Sequence, residues 1–266
     1  MSSNVQNVSE AFSRQSNVFD QLNTENELSG YLRNQFREEV LSHLKPGSSI
    51  LELNCGTGLD AVFFAKRGHF ILANDNSPGM LSKLEQKIEE EALQKQVQTL
   101  QCSFHEISKI KDRTFDHIIS NFGGLNCTDD LDEVLQQFSP LLNSNGKVTL
   151  MIMPKVCPWE LAMAIKGRFK VAFRRFKKKT PAHIEGVHFY CYYYNPSYVK
   201  KALMDDFETI GLKGVCITVP PEFFQNFTKR FPRSFKVLSA IDRVICSFFP
   251  FTYCCDHFLI TLQKRN

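Results

Sequence analysis

At 266 residues with 43% hydrophobic content, the chain suits one large α/β domain, or a core domain with a sizeable insertion, and has the apolar residues to pack it. A formal net charge of +4 is too small to argue for nucleic acid, whose binding domains concentrate positive charge on one face, so no nucleic-acid partner is expected. No apolar run reaches the roughly eighteen residues that span a bilayer, and the polar start from Met1 to Asn7 lacks a basic and an apolar leader region, so a cytoplasmic protein is expected.

In chain order, the segment 8–45 reads as helical. From Leu28 onward, Tyr31, Leu32, Phe36, Val40 and Leu41 recur at helical spacing, with Arg33, Arg37, Glu38 and Glu39 on the other face. Lys45-Pro46-Gly47 ends it. The short apolar run Ile50-Leu51-x-Leu53 predicts a buried parallel strand, and Gly56 and Gly58 then let the backbone turn sharply and approach a ligand where any Cβ would intrude. Leu59 to Arg67 predicts a helix whose N-terminus lies at that turn. Phe70 to Ala73 predicts a second strand ending on Asp75, an acid placed to hold a ribose.

Ser77 and Pro78 start the next helix as cap and first residue, and Met80, Leu81, Leu84 and Ile88 form its apolar face. Strands follow at Val97 to Cys102, Phe115 to Ser120 and Val148 to Met153, with an amphipathic helix over Leu131 to Leu142 before the last. The alternation predicts a doubly wound α/β sheet. Asn121, Phe122 and Gly123 fall at a strand's carboxyl end, where such sheets bind ligands.

After Pro154 the alternation stops. Segment 166–179 interleaves lysine and arginine with Phe169, Phe173 and Phe176; it reads either as a solvated helix face with inward phenylalanines or as an attraction for an anionic substrate, an anionic carrier or an acidic membrane surface. Val187 to Tyr194 reads as a strand placing His188, Tyr190, Tyr192 and Tyr194 on one face. A sixth strand is predicted over Lys213 to Val219 and a last one over Asp256 to Leu262, with a phenylalanine-rich insertion between them. The nine cysteines form no C-x-x-C pair, and an odd, scattered set argues against both a disulfide framework and a zinc site.

The strings Leu51-Glu52-Leu53-Asn54-Cys55-Gly56-Thr57-Gly58 and Asp75-x-Ser77-Pro78-x-Met80-Leu81 closely resemble the first two motifs of class I S-adenosylmethionine-dependent methyltransferases, in particular the small-molecule "type 11" group. Asn54 stands where glycine is commonest in that family, and asparagine is the non-glycine residue that best tolerates left-handed backbone angles. Phe115-Asp116 through Ser120-Asn121-Phe122-Gly123-x-Leu125-Asn126 resembles a further string of the group, and the Asn/Asp-Pro-Pro-aromatic tetrad of amino-group methyltransferases is absent.

The resemblance implies a Rossmann-like seven-stranded sheet with an antiparallel last strand, S-adenosyl-L-methionine as cofactor and no metal. It implies a single domain over 1–266, with the cofactor core at 46–153 and insertions at 154–212 and 220–255 roofing the acceptor. Glu52 would place the amino-acid end of the cofactor, Gly56 and Gly58 would lie under it, and Asp75 would bind both ribose hydroxyls. Asn54, Thr57, Asn76, Met80, Ser103, Phe104, Asn121 and Phe122 complete the implied set, with Phe19 as a lid residue.

The acceptor expected is a small aromatic or lipophilic metabolite methylated on oxygen or carbon, with His188 and His183 as candidate bases for a hydroxyl. Two alternatives stand beside it. Gly56-x-Gly58-x-x-Ala61 followed by Asp75 also fits a relaxed dinucleotide pattern and a nicotinamide-dependent oxidoreductase, and a non-catalytic S-adenosylmethionine-binding protein would carry the same core.

Overall fold

The computed structural model describes residues 3–265; Met1, Ser2 and Asn266, and with them the first two residues of the polar start, lie outside the described residues. Two helices lead the chain, α1 (Ser3–Glu25) and α2 (Glu27–Leu41), separated by Asn26, whose side chain accepts the Leu28 N–H as an N-cap. The core then alternates: β1 (Ser49–Leu53), α3 (Leu59–Ala65), β2 (Phe70–Asp75), α4 (Pro78–Glu90), β3 (Val97–Gln101), β4 (Phe115–Ser120), α5 (Leu131–Gln136) and β5 (Leu142–Ile152). Short helices α6 (Pro158–Leu161) and α7 (Phe169–Ala172) precede a hairpin of β6 (Thr180–Ile184) and β7 (Val187–Cys191). The chain closes with α8 (Pro196–Leu203), β8 (Phe207–Val215), α9 (Phe227–Arg230), α10 (Pro232–Ile245) and β9 (His257–Lys264).

Seven strands form one sheet in the order β3-β2-β1-β4-β5-β9-β8. The first five are parallel, and β9 runs antiparallel between β5 and β8, as the resemblance implied. Ile50, Leu51 and Leu53 of β1 are fully buried because helices cover both faces of this central strand. The strand order reverses between β1 and β4, whose carboxyl ends therefore splay apart and open a crevice.

Several elements differ from their sequence expectation. α5 stops at Gln136 and a 3-10 turn carries Pro140, which cannot donate to a continuing helix. β8 starts six residues before Lys213 and ends at Val215, because Cys216 takes a left-handed φ of 53° and the preceding polar residues pair with β9. The tyrosine run does not alternate: β7 ends at Cys191, Tyr190 is exposed, and Tyr192, Tyr193 and Tyr194 are all buried, with the Tyr194 hydroxyl donating to the Thr128 carbonyl. Among the described residues, no helix is long and apolar enough to cross a membrane.

Candidate functional site

The crevice beyond β1, β2 and β4 is a cavity of about 590 Å³. Glu52, Asn54, Gly56, Asp75, Asn76, Met80, Phe104, Asn121 and Phe122 line it, and Phe12, Phe19 and Leu22 of α1 lie across it. The turn that makes this possible has left-handed φ at Asn54 (47°), Gly56 (57°) and Gly58 (76°). Asn54 stabilises its unusual angle through its side chain, which donates to the Asn121 carbonyl at 3.1 Å and accepts from the Ser120 hydroxyl at 2.6 Å. Asparagine thus ties the ends of β1 and β4 together where glycine could not.

Asp75 receives the Gly56 N–H on one oxygen and the Ser77 N–H on the other, both at 2.8 Å. Each oxygen keeps a lone pair for a further donor from the cavity. Burial raises the Asp75 pKa, and these backbone bonds only partly offset it. Glu52 is buried more completely, and its Oε2 has no hydrogen-bond partner. Desolvation, then the nearby Asp60, pushes its pKa well up, against the pull of Arg33 and Arg37. A buried carboxylate at the cavity wall with an oxygen lacking a donor is short of partners, and a ligand cation beside it would supply one.

Asp60, in the first turn of α3, is held by Arg33 at 2.5 Å and Arg37 at 2.6 Å, and Asn121 donates to it at 2.8 Å. Part of the polar face of α2 is therefore turned toward the core rather than to solvent. Arg33 and Arg37 point at the core, Arg33 stacks 4.4 Å over the Phe122 ring, and Glu39 is buried against Lys213 and Thr261.

Three residues of the implied set do not line the cavity. The Thr57 hydroxyl donates to Asp20 at 2.5 Å, and Lys87 pairs with the same carboxylate, so this trio fastens α1 to the glycine turn. Gly58 caps α3 and lies so close to Leu84 that a Cβ would collide with it. The Ser103 hydroxyl turns back to cap the His105 N–H. Phe19, in contrast, lies directly over Gly56.

His183 and His188 do not roof the cavity. They pair across β6 and β7 with ring centroids 4.5 Å apart, on the exposed face of a hairpin whose other face packs on α1. Period-two alternation sets this: Val187 and Phe189 point inward, so His188 points out. Sequence reasoning missed Glu222 and Arg174, which do line the cavity. Glu222 accepts from the Ser29 hydroxyl at 3.0 Å, and its surroundings raise its pKa chiefly by desolvation. It lines the cavity while its side chain stays open to solvent.

The basic segment 166–179 divides in two. Arg174 grips Glu160 with two bonds of 2.6 Å, and the buried Arg175 bonds Glu160 at 2.8 Å and Asp256 at 2.6 Å. Cys157, Glu160 and Asp256 lie within 4.8 Å of one another, a spacing a metal could use, but these guanidiniums already balance their charge. Phe169, Phe173 and Phe176 are exposed rather than packed inward.

This strand order, with Glu52 in β1, Asp75 at the end of β2 and a glycine turn between them, is the arrangement that the resemblance to class I S-adenosylmethionine-dependent methyltransferases implied. Residues 50–146 match the family described as "Methyltransferase domain". The match spans the glycine turn and strands β1 to β4. Over 88% of its length it superimposes on 99% of a Listeria monocytogenes protein provisionally described as an S-adenosylmethionine-dependent methyltransferase, with TM-score 0.60 and 17% identity. The CcbJ methyltransferase of Streptomyces caelestis aligns over 88% of this chain and 90% of its own, with TM-score 0.59 and 14% identity. Geranyl diphosphate C-methyltransferase from Streptomyces coelicolor aligns over 89% and 80%, with TM-score 0.56 and 14% identity. No curated protein matches in sequence. Neither the oxidoreductase nor the non-catalytic alternative draws support from these likenesses.

The latch between α1 and the turn sets one expectation. In an Asp20→Ala variant, Thr57 and Lys87 lose their shared acceptor, and S-adenosylhomocysteine should dissociate about tenfold faster, the worth of a charge-assisted bond beside a half-exposed ion pair. Stopped-flow release with an unchanged melting temperature would confirm a lid effect; an unchanged release rate would exclude it.

Proposed function

We propose that the chain transfers the methyl group of S-adenosyl-L-methionine to oxygen or carbon of a small aromatic or lipophilic acceptor. The observation that carries this reading is the contrast between the two sides of the cavity. Its floor presents Glu52 and Asp75, and its cover presents Phe12, Phe19, Leu22 and Phe223. Acids suit the ammonium and ribose of the cofactor, and aromatic surface suits an apolar acceptor. The unpartnered Glu52 Oε2 and the spare lone pairs of Asp75 fit the cofactor's donors, and Gly56 leaves room between the turn and Phe19.

When bound, S-adenosyl-L-methionine supplies an electrophilic methyl carbon on a sulfonium. The chain's part is to hold an acceptor lone pair in line with that carbon and to keep water out, and positioning of this kind carries most of the acceleration. A hydroxyl acceptor must also lose its proton. Glu222 is the carboxylate on the cavity's aromatic side, and in this reading it takes the proton on a carboxylate oxygen, with Ser29 orienting it. His183 and His188, exposed on the hairpin, have no such access.

Methyl-labelled S-adenosylmethionine incubated with a panel of phenols and prenyl alcohols tests both parts. Label should pass into the organic phase for at least one class, at a rate rising with pH through the raised pKa of Glu222, since the base must be ionised. Glu222→Gln should lower kcat about 100-fold and flatten that profile, with cofactor affinity unchanged. A wild-type profile in the variant would remove Glu222 from the chemistry, and tight S-adenosylhomocysteine binding with no transfer to any acceptor would favour a non-catalytic protein.

A further inference from the structure

The second insertion carries a surface that the methyl-transfer reading does not use. Along α10, Val237, Ile241 and Val244 follow one another at helical spacing and are 59%, 41% and 69% exposed; Phe248 and Phe249, just beyond its end, are 61% and 81% exposed. A surface helix ordinarily turns such a stripe inward. Here the opposite face is the anchored one. Phe235 packs edge-on against Tyr31 of α2 at 5.7 Å, and the buried Asp242 accepts the Ile217 and Thr218 N–H groups at 3.0 and 2.7 Å. The orientation of α10 is therefore specified, and its apolar stripe is left outside by the fold.

Charge narrows what can cover that stripe. Between positions 220 and 250 the bases are Lys229, Arg230, Arg233, Lys236 and Arg243, and the acids are Glu222 and Asp242 alone. Asp242 is buried under the helix and Glu222, though solvent-exposed, is bonded to Ser29 at the cavity, so the bases of this segment outnumber its exposed acids five to one. Among the described residues, none of the five bases is in an ion pair. A second copy docking stripe to stripe would bring these like charges together. The first insertion repeats the composition: Ile165, Phe169, Phe173 and Phe176 are exposed among Lys166, Lys170 and Lys177 to Lys179. Both insertions reach the cavity, one through Arg174 and the other through Phe223.

We propose that α10 and the Phe248-Phe249 turn seat the protein on an anionic lipid bilayer, with valine, isoleucine and phenylalanine entering the headgroup boundary and the flanking bases facing lipid phosphates and carboxylates. Apolar side chains ringed by unpaired cations are the chemistry of interfacial anchoring. Both insertions also contribute to the cavity lining, so a lipophilic acceptor held in the bilayer would have a short route to the aromatic cover. Docking itself does not depend on the acceptor, and its test reads no activity.

The test is co-sedimentation of the full chain with vesicles of phosphatidylcholine alone and of phosphatidylcholine mixed in equal parts with phosphatidylserine. The protein should pellet with the mixed vesicles, stay in solution with the neutral ones, and lose binding as salt rises. Arg233→Gln with Lys236→Gln should weaken partitioning about 25-fold, at about fivefold per cation, and Phe248→Ser with Phe249→Ser at least about tenfold. Retained S-adenosylhomocysteine binding reports that each variant is folded, and Val237→Ser with Val244→Ser serves as a second apolar probe if the phenylalanine pair fails that check. Equal pelleting with both vesicle types, pelleting with neither, unchanged binding in the variants, or a dimer in solution that the apolar substitutions dissolve would each overturn the proposal.

Discussion

If Asp75 binds the cofactor ribose as proposed, Asp75→Asn should reduce S-adenosylhomocysteine affinity by about two to three orders of magnitude, through loss of two charge-assisted hydrogen bonds. The asparagine oxygen can still accept one of the two backbone N–H groups that Asp75 serves, from Gly56 or Ser77, so the turn should persist and the melting temperature change little. A pH titration sharpens the test. Burial raises the Asp75 pKa, so its carboxylate is neutralised at a higher pH than an ordinary aspartate, and cofactor affinity should weaken as pH falls through that raised value. Asp75→Asn should lose this step and keep the one due to Glu52, whose pKa is also raised. Calorimetry at several pH values checks it. Unchanged affinity in the variant would remove Asp75 from the cofactor site.

Arg175→Met should cost about 3–5 kcal/mol of stability, because it leaves the buried carboxylates of Glu160 and Asp256 without their shared partner. For a chain of this size that is about 10 °C in melting temperature. The pH dependence follows from Asp256. Burial alone would raise its pKa, but His257 and Arg175 outweigh burial and hold it well below the usual carboxylate range. A depressed folded pKa means stability that is present above the unfolded value and lost as pH falls toward the folded one. Removing Arg175 raises the folded pKa, so acid unfolding should begin at a higher pH in the variant. Thermal melts across an acidic series measure this, and coincident acid limbs in the two proteins would show that Arg175 does not stabilise the Asp256 carboxylate.

Much of the core was legible because its signals are local. A buried parallel strand needs a short apolar run, and the turn after β1 needs residues that accept positive φ, so Ile50 to Gly58 announced both the strand and the ligand crevice. Thr57 and Gly58 carry the same motif letters as Gly56, yet one clasps Asp20 and the other makes room for Leu84. A motif records that a residue type is needed at a position, not which neighbour needs it.

The insertions were less legible, for a physical reason. Segment 166–179 reads as one run of charge, and only the approach of Glu160 and Asp256 from distant positions separates the buried Arg175 from the exposed lysines beside it. His183 and His188 were expected as candidate bases in an insertion roofing the cavity, but the packing of Val187 and Phe189 on α1 turns them to the exposed face of the hairpin. Glu222 carried no motif at all.

By itself the amino-acid sequence determined the doubly wound sheet, its strand content through β5, the glycine turn and the acid that ends β2, because hydrophobic period and backbone conformational freedom act over a few neighbouring residues. The tertiary structure alone decided which charges are buried, which aromatic residues cover the cavity and which stripe of α10 faces outward. Those outcomes depend on contacts between residues far apart in the chain, where desolvation and pairing, rather than local preference, set the free energy.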